Sequence, residues 1–299
     1  MRYNNLSAYL RERYGKRIGK ICIDGGFSCP NRDGSCGVGG CIFCGERGAG
    51  EHIDGALAIR EQVDATLFRG SYEGYIAYFQ NFTNTYAPID VLRERYDAAL
   101  GDERIVALAI GTRPDCIDDN VAALIAEYGK KLDVWVELGL QTASDEVARV
   151  INRGYTTDVF LRAAKILTEH GIPFVVHMMI GLPGEGRSEA RETARLIASV
   201  HPFGVKIHSL YVMEGTVLAE MYRSGTFTPI GEDEYVAATA DCLELLPPET
   251  VIHRLTGDCP EGMLVAPLWS KDKNRLLAAI RNELERRGTR QGSRANVNN

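Results

Sequence analysis

Cysteines are the residues of this chain best suited to chemistry. Five of the eight lie between residues 22 and 44, and Cys41 and Cys44 form a C-x2-C pair that could bind zinc or iron. A structural zinc site needs four closed ligands, and the sequence has no second C-x2-C or histidine pair at a suitable spacing. Three thiolates from one glycine-rich loop, with one metal position left open, instead favour a 4Fe–4S cluster. A thioredoxin-type redox pair is a less well supported alternative.

Composition indicates a globular protein of the cytoplasm. The chain has 299 residues, of which 45% are hydrophobic and 25% charged. It contains no stretch near the roughly 18 consecutive apolar residues that a membrane helix requires, and its N-terminus is unlike a signal peptide. Clustered cysteines in such a chain indicate thiols or metal ligands rather than disulfides. The formal net charge of −6 argues against a surface built wholly for nucleic acid, but it is compatible with a local basic groove.

Hydrophobic periodicity predicts alternating strands and helices. Six nearly continuous apolar segments are each followed by a helical pattern, which indicates parallel strands with right-handed crossovers. The strands are predicted at residues 20–26, 75–82, 105–113, 133–141, 173–182 and 205–213. Six such units form an α/β partial (β/α)6 TIM barrel, and residues 250–258 offer a seventh strand.

We expect one barrel domain with terminal helical extensions. The barrel is predicted at residues 20–215, between an N-terminal helical extension (1–19) and a C-terminal extension (216–299) that ends in a basic helix. Parallel α/β proteins bind their ligands at the carboxyl ends of the strands. Since the cysteine loop directly follows the first predicted strand, it lies where a site is expected.

The run GGFSCPNRDGSCGVGGCIFC has the spacing C-x11-C-x2-C starting at Cys29. It resembles the YtqA/YhcC-type radical S-adenosylmethionine (SAM) proteins, which are relatives of the catalytic subunit of Elongator and of oxygen-independent coproporphyrinogen oxidase. The likeness extends from YLRERYGKRIGKI to LTGD and APLWS. It implies the radical SAM barrel and one 4Fe–4S cluster ligated by Cys29, Cys41 and Cys44. The fourth iron of the cluster would bind the amino and carboxylate groups of SAM.

The same resemblance gives roles to other residues near the cluster. Phe43 would shield the cluster and lie near the adenine of SAM, with ordinary loop packing as the alternative. Cys36 could replace Cys29 as a ligand, although the family pattern begins at the cysteine of CPNRDG. Cys22 falls within the first strand, and we expect it to be buried.

Polar residues that follow the second and third strands are further candidates. Asn81, Thr83 and Asn84 stand where many radical SAM proteins have a glycine-rich turn that reaches the SAM amino group, and a simple turn is the alternative. In GTRPD, a glycine replaces the acid of the Elongator subunit, which leaves Arg113 and Asp115 as its polar side chains.

The fourth and fifth strands supply the remaining candidates for SAM binding. Gln141 closes the fourth strand, and Arg153 follows at the spacing at which an arginine of the coproporphyrinogen oxidase relative reaches the SAM carboxylate. Glu137 shares a strand face with Gln141 and is expected to contact either a ligand or an internal cation. His177 stands where relatives hold the ribose, with a core histidine as the alternative. No catalytic residue is predicted.

The resemblance also implies an activity. Reductive cleavage of SAM would give a 5′-deoxyadenosyl radical that takes a hydrogen atom from the substrate. The resemblance to the Elongator subunit suggests the wobble uridine of tRNA as the substrate. CIFCGERGAG is more similar to the MnmL branch, which converts 5-carboxymethylaminomethyl-uridine to 5-aminomethyl-uridine, than to YhcC. A small metabolite, a protein side chain or a non-catalytic iron–sulfur sensor are the alternatives.

Two kinds of partner follow from that activity. We expect electrons to come from a donor such as flavodoxin or ferredoxin. We expect basic residues of the C-terminal region to hold the tRNA backbone, and these are Arg281, Arg286, Arg287, Arg290 and Arg294.

Overall fold

The computed structural model describes residues 2–48, 53 and 55–295. The last two residues of the CIFCGERGAG run, at positions 49 and 50, lie outside that part of the chain. The described strands are β1 (Ile18–Ile23), β2 (Gly74–Phe79), β3 (Ile105–Thr112), β4 (Asp133–Gln141), β5 (Phe174–Ile180), β6 (Gly204–Ser209), β7 (Val212–Met213), β8 (Val251–Arg254) and β9 (Leu264–Ala266).

Seven strands form one parallel sheet in the order β1-β2-β3-β4-β5-β6-β8. The sheet curls into an open barrel, which confirms the predicted fold class. Every residue of β2 is buried, as expected for a parallel strand that is covered on both faces.

Helices connect the strands and cover the outside of the sheet. They are α1 (Leu6–Tyr14), α2 (Ile59–Arg69), α3 (Ile89–Ala99), α4 (Asp119–Gly129), α5 (Asp145–Val150), α6 (Thr157–Glu169), α7 (Arg187–Ser199), α8 (Val217–Arg223), α9 (Glu232–Leu245) and α10 (Lys273–Arg286). The largest apolar core cluster contains residues of both the sheet and these helices. No helix in the described part of the chain is both long enough and apolar enough to cross a membrane.

Two predicted strands differ from the structure in their detail. The segment predicted as one strand at 205–213 contains β6 and the short β7, which pairs antiparallel with β9. The seventh strand expected at 250–258 is β8, and Gly204 of β6 pairs with its Val251. The C-terminal extension therefore contributes a strand to the sheet, and the exact domain boundaries stay predictions.

The N-terminal helix packs against the inner face of the sheet. The Asn5 side chain caps α1 by accepting a hydrogen bond from the Ala8 amide at 2.9 Å. Leu10 then joins the cluster that contains Ile76 and Trp135 on that face. The helix thus fills space that an open barrel would otherwise leave uncovered.

The basic C-terminal region is partly neutralised within the protein. Arg287 lies 2.7 Å from Asp241 and from Glu283, and Arg294 lies 3.0 Å from Glu244. Arg286 forms a further pair with Glu283, whereas Arg281 and Arg290 form no ion pair with a described residue. Three of the five arginines expected to hold tRNA therefore form ion pairs with acidic residues of α9 or α10.

Candidate cofactor site

The cysteine loop lies between β1 and α2 and is built from short turns. The Arg32 amide donates to the Cys29 carbonyl at 2.8 Å, and the Cys44 amide donates to the Cys41 carbonyl at 3.0 Å. Gly40 has a φ angle of +74°, and a Cβ atom there would lie 2.8 Å from Arg32 Nε. This position therefore requires glycine both for its backbone conformation and for the close approach of the arginine.

The turn that follows α5 holds the cysteine loop in place. Asn31 Nδ2 donates to the Asn152 carbonyl at 2.6 Å, and Asn152 Nδ2 donates to the Gly40 carbonyl at 2.7 Å. The Ile42 amide also donates to the Ile151 carbonyl at 3.1 Å. These reciprocal bonds fix both sides of the loop to the segment that follows β4.

Arg32 closes the loop from within. Its Nη1 donates to the Glu46 carbonyl at 2.9 Å, and its Nη2 donates to the Cys44 carbonyl at 3.3 Å. The guanidinium carbon also lies 5.5 Å from the centroid of the Phe82 ring. A single cation thereby ties the second half of the loop to the end of β2.

The three predicted ligand thiols are free and partly buried. Cys41 and Cys44 share a hydrogen bond, which raises the pKa of Cys41 and lowers the pKa of Cys44. Asn31 Nδ2 lies 4.0 Å from Cys41 Sγ. Across the described residues, no three Cys, His, Asp or Glu side chains converge on a single metal ion. A 4Fe–4S cluster does not require its cysteines to converge on one metal ion, because each cysteine binds a different iron.

Cys36 occupies a different environment from these three thiols. It is exposed, and its Sγ lies 3.8 Å from Arg113 Nη2 and 3.8 Å from Asp115 Oδ2. Arg113 also binds Asp115 through two hydrogen bonds of 2.9 and 2.7 Å. An adjoining cavity of about 750 Å³ is lined by Cys36 and Asp115 and also by Pro30, Ser35, Thr85, Tyr86 and Cys116.

Phe43 points into the second apolar cluster of the protein. It is half-buried and packs against the group that contains Val147, Ile151 and Leu182. Phe43 therefore packs as an ordinary loop residue, and its contact with the 4Fe–4S cluster or with the adenine of SAM stays a prediction.

Three polar side chains at the end of β2 are buried with oxygen atoms left over. Asn81 Nδ2 donates to Asp24 at 2.8 Å, and Asn84 Nδ2 donates to the Gly111 carbonyl at 2.7 Å. The oxygens Asn81 Oδ1, Thr83 Oγ1 and Asn84 Oδ1 have no hydrogen-bond partner among the described residues. Each unpaired buried oxygen costs about 1–3 kcal/mol, so a ligand that donates hydrogen bonds would relieve this cost.

Arg153 is fully buried, and its donors are directed at protein acceptors. Nη1 donates to the Thr142 carbonyl at 2.7 Å, and Nε donates to the Tyr155 carbonyl at 3.0 Å. Nη2 lies 3.3 Å from Asp145. Tyr155 also donates to Gln141 Oε1 at 3.3 Å, so Arg153 and Gln141 meet the same tyrosine. To form a hydrogen bond with the SAM carboxylate, Arg153 would have to lose some of its hydrogen bonds to these protein acceptors.

Glu137 lies inside the barrel with three donors around it. Its Oε2 contacts Lys206 Nζ and lies 2.7 Å from His177 Nε2, and Trp135 Nε1 donates to Oε1 at 3.3 Å. Lys206 Nζ also donates to the Tyr78 hydroxyl at 3.2 Å. The internal ion pair that was one of the two expectations for Glu137 is thus formed, and it includes His177.

Burial sets the charges of this group. Burial alone would raise the pKa of Glu137, but Lys206 and His177 bring that pKa well below its ordinary value. Burial also lowers the pKa of Lys206 to about 7, against the opposing effect of Glu137. It lowers the pKa of His177 to about 4, so this imidazole is neutral near pH 7. The Glu137 carboxylate is therefore the group that stays charged, and Lys206 and His177 lie around it.

Comparison with known families identifies the superfamily of this chain. Residues 33–197 match the model of the Radical SAM superfamily, and residues 202–286 match the Radical SAM C-terminal domain. This chain belongs to the radical SAM superfamily. It is a radical SAM enzyme by that membership, and the cofactors of the superfamily are a 4Fe–4S cluster and SAM.

Individual relatives narrow the comparison. YtqA of Bacillus subtilis (strain 168) is 40% identical over 296 residues, which cover 97% of this chain and 92% of YtqA. The tRNA uridine(34) acetyltransferase of Dehalococcoides mccartyi (strain CBDB1) is 30% identical over 187 residues, 62% of this chain and 39% of that protein. The structure of archaeal Methanocaldococcus infernus Elp3 with an N-terminal deletion shares the fold, with a TM-score of 0.68 and 20% identity over 92% of this chain and 64% of Elp3.

The residues of this radical SAM protein fit both cofactors. The loop offers three free thiols to a cluster, and thiolates are the usual ligands of its irons. The SAM amino group is a donor, and the unpaired oxygens of Asn81, Thr83 and Asn84 are acceptors at the end of the neighbouring strand. Roles for Gln141, Glu137, Arg153 and His177 toward SAM stay predictions.

Three features of the site were missed by sequence reasoning. Lys206 is a lysine within an apolar strand, a signal that should have predicted a buried ion pair. Glu185, in the GLPGE turn after β5, has two buried oxygens without a partner in the described structure. Asn31 and Asn152 gave no sequence signal, since their contact joins segments that are 121 residues apart.

Proposed function

We propose that this radical SAM enzyme modifies the wobble uridine of tRNA, converting 5-carboxymethylaminomethyl-uridine to 5-aminomethyl-uridine. The observation that carries the proposal is the similarity to a tRNA uridine(34) acetyltransferase over 62% of the chain. The shared fold with Elp3 is consistent with it. Neither relative performs the proposed reaction by name, so the reaction itself requires the test below.

In this proposal the cluster is held by Cys29, Cys41 and Cys44. When bound, the cluster and SAM together supply reductive cleavage of SAM and removal of a hydrogen atom from the substrate. Asn31 and Asn152 keep the loop against the turn after α5, which preserves the separation of the three thiols. Asn81, Thr83 and Asn84 offer the oxygens in which the N–H groups of the SAM amino group would find acceptors.

The substrate requires space beside the cluster. The cavity of about 750 Å³ next to the cysteine loop is large enough for one nucleotide, and its lining combines polar and apolar residues with one aromatic residue, Tyr86. A uridine that is turned out of the anticodon loop could enter it without the enzyme opening a duplex. Of the C-terminal arginines, Arg281 and Arg290 remain available for the RNA backbone.

The test is anaerobic incubation of the reconstituted, reduced enzyme with SAM and with tRNA that carries 5-carboxymethylaminomethyl-uridine. Nucleoside mass spectrometry should show loss of that uridine and appearance of 5-aminomethyl-uridine. Cys29→Ala should abolish both the product and 5′-deoxyadenosine formation, whereas Cys36→Ala, in the same loop, should retain them. The reverse result would assign the third ligand to Cys36 instead of Cys29.

Other outcomes distinguish the alternatives. Formation of 5′-deoxyadenosine with no change in any tRNA nucleoside would favour a small metabolite or a protein side chain as substrate. Bound iron without any cleavage of SAM would favour a sensor. Reduction by flavodoxin or ferredoxin in place of dithionite would test the proposed electron donors, and cell fractionation would test the cytoplasmic location.

A further inference from the structure

A second cavity, of about 570 Å³, lies at the opposite end of the barrel from the cysteine loop. It is lined by residues of α1, the turn after it and the first residues of β1, among them Ile18. The cysteine loop follows the last residue of β1, so the strand separates the two regions. Nothing in the proposed reaction uses this cavity.

Its lining carries positive charge without negative charge. Arg11, Lys16, Arg17 and Lys20 all line the cavity, and no Asp or Glu does. None of the four forms an ion pair with a carboxylate of the described residues, whereas Arg13 on the same helix pairs with Asp133 at 2.9 Å. Four like charges around one space repel one another, so a bound anion would be favoured there.

The contacts of Lys16 and Arg17 leave their charge without a carboxylate partner among the described residues, whereas the charge of Lys20 also acts on the buried Glu137 carboxylate. Lys16 Nζ donates to the Glu73 backbone carbonyl at 3.2 Å. The Arg17 guanidinium carbon lies 5.2 Å from the centroid of the Tyr72 ring, and Lys20 Nζ lies 4.7 Å from the centroid of the Tyr78 ring. Carbonyl and ring contacts orient a cation but do not neutralise it.

A neutral histidine also lines the cavity. Both ring nitrogens of His253 are buried and have no hydrogen-bond partner among the described residues, and its Nε2 lies against Gly204. Burial lowers its pKa to about 3, so the imidazole adds no positive charge to the lining. Trp135 and Phe203 pack edge-on against this ring and hold it in place.

Apolar and aromatic residues complete the lining, including Leu6, Leu10, Ile76 and Tyr72. The combination of several cations and an apolar wall suits a ligand with an anionic part and a flat or apolar part. The volume is that of a small-molecule site. We propose that this cavity binds a phosphate-bearing ligand of nucleotide size, with the phosphate against Lys16 and Arg17.

Two sources could supply this chemistry: a free nucleotide, or one nucleotide unit of a bound RNA chain. Binding to the holoenzyme is measured by isothermal titration calorimetry with ADP and, separately, with an anticodon stem-loop RNA. If the wild type binds ADP tightly and the variants below keep the wild-type affinity for RNA, the ligand of this cavity is a free nucleotide. Loss of RNA affinity in the variants, without ADP binding to the wild type, would assign the RNA chain.

The variants reverse the charge that should hold the phosphate. Lys16→Glu combined with Arg17→Glu should weaken binding of the relevant probe at least tenfold, and raising the salt concentration should weaken wild-type binding. Lys130→Glu is the control, since it changes an exposed cation at the end of α4 that does not line the cavity. Lys16→Ala with Arg17→Ala gives the same test if charge reversal impairs folding.

The proposal is overturned if neither probe binds below millimolar concentration, or if both double variants bind as the wild type does. Either result would leave the proposed tRNA modification standing, because that activity depends on the other end of the strands.

Discussion

The buried side chains of the site differ in whether their hydrogen bonds are satisfied. Thr85 Oγ1 bonds to Thr112 Oγ1 at 2.6 Å and to the Cys116 carbonyl at 2.7 Å. Thr83, two residues earlier and also buried, has a hydroxyl without a partner in the part of the chain that the structure describes. A folded protein retains such an unpaired group against its cost in stability when the group serves a ligand. The two threonines therefore form a matched pair for experiment.

Thr83→Val should separate stability from cofactor binding. Removing an unpaired hydroxyl should raise the free energy of unfolding of the apoprotein by about 1 kcal/mol, while SAM affinity of the reconstituted protein falls about tenfold. Urea denaturation and anaerobic equilibrium dialysis measure the two quantities. Thr85→Val should do the opposite: it should lose stability and keep SAM affinity. If Thr83→Val leaves SAM affinity unchanged, its hydroxyl does not bind the cofactor.

Glu185 should make stability depend on pH. Burial raises its pKa to about 8, so the folded state holds a proton that the unfolded state releases near pH 4.5. Stability is therefore lost as pH rises between these two values, by up to about 1.4 kcal/mol per pH unit from this group. Glu185→Gln should remove that slope in urea titrations from pH 5 to 8. Glu189→Gln, which changes a nearby and only partly buried carboxyl, should retain it, and equal slopes in all three proteins would refute the assignment.

At the scale of elements, the central relation is between the cysteine loop and the turn after α5. Asn152 has a φ angle of +53° and donates to two loop carbonyls, those of Val38 at 3.2 Å and Gly40 at 2.7 Å. Asparagine tolerates this backbone conformation better than most residues. The same residue thus shapes the turn and holds the loop.

Asn152→Gly should loosen the loop without straining the turn. Glycine accepts a positive φ, so the variant isolates the two lost hydrogen bonds, each worth about 0.5–1.5 kcal/mol. Release of iron to a chelator should be several-fold to tenfold faster than in the wild type, by anaerobic absorbance, with unchanged far-UV circular dichroism. Asn152→Ala should be at least as fast because it adds backbone strain. Wild-type iron retention in Asn152→Gly would show that these bonds do not support the cluster.

Sequence and structure agree best where the signal is local. The strand pattern predicts the barrel because parallel strands are apolar along their whole length, and the possible seventh strand at residues 250–258 is present as β8. The thiol motif depends only on spacing within one loop. Contacts such as Asn31 with Asn152 depend on how distant segments meet, and polar residues in turns carry no sign of their partners.

For the whole molecule, the C-terminal region shows why clustered charge in a sequence is ambiguous. Its arginines resemble an RNA-binding surface in the linear sequence, but the partners of Arg287 are Asp241 and Glu244 on α9 and Glu283 on its own helix. The side chains of both α9 acids are almost completely buried. This arginine therefore serves mainly to join α10 to the rest of the protein.

Arg287→Met and Arg281→Met should consequently have different effects, although both change one arginine of the same C-terminal region. Arg287→Met removes one of two cations from each buried carboxylate, since Arg187 still pairs with Asp241 and Arg294 with Glu244, so the free energy of unfolding of the apoprotein should fall by about 2 kcal/mol. Arg281→Met removes an exposed cation that forms no ion pair with a described residue, and stability should stay within about 0.5 kcal/mol. In filter binding with an anticodon stem-loop, Arg281→Met should be the variant that loses RNA affinity, and Arg287→Met should keep it. If Arg287→Met instead binds RNA more weakly at unchanged stability, Arg287 is part of the surface that contacts RNA.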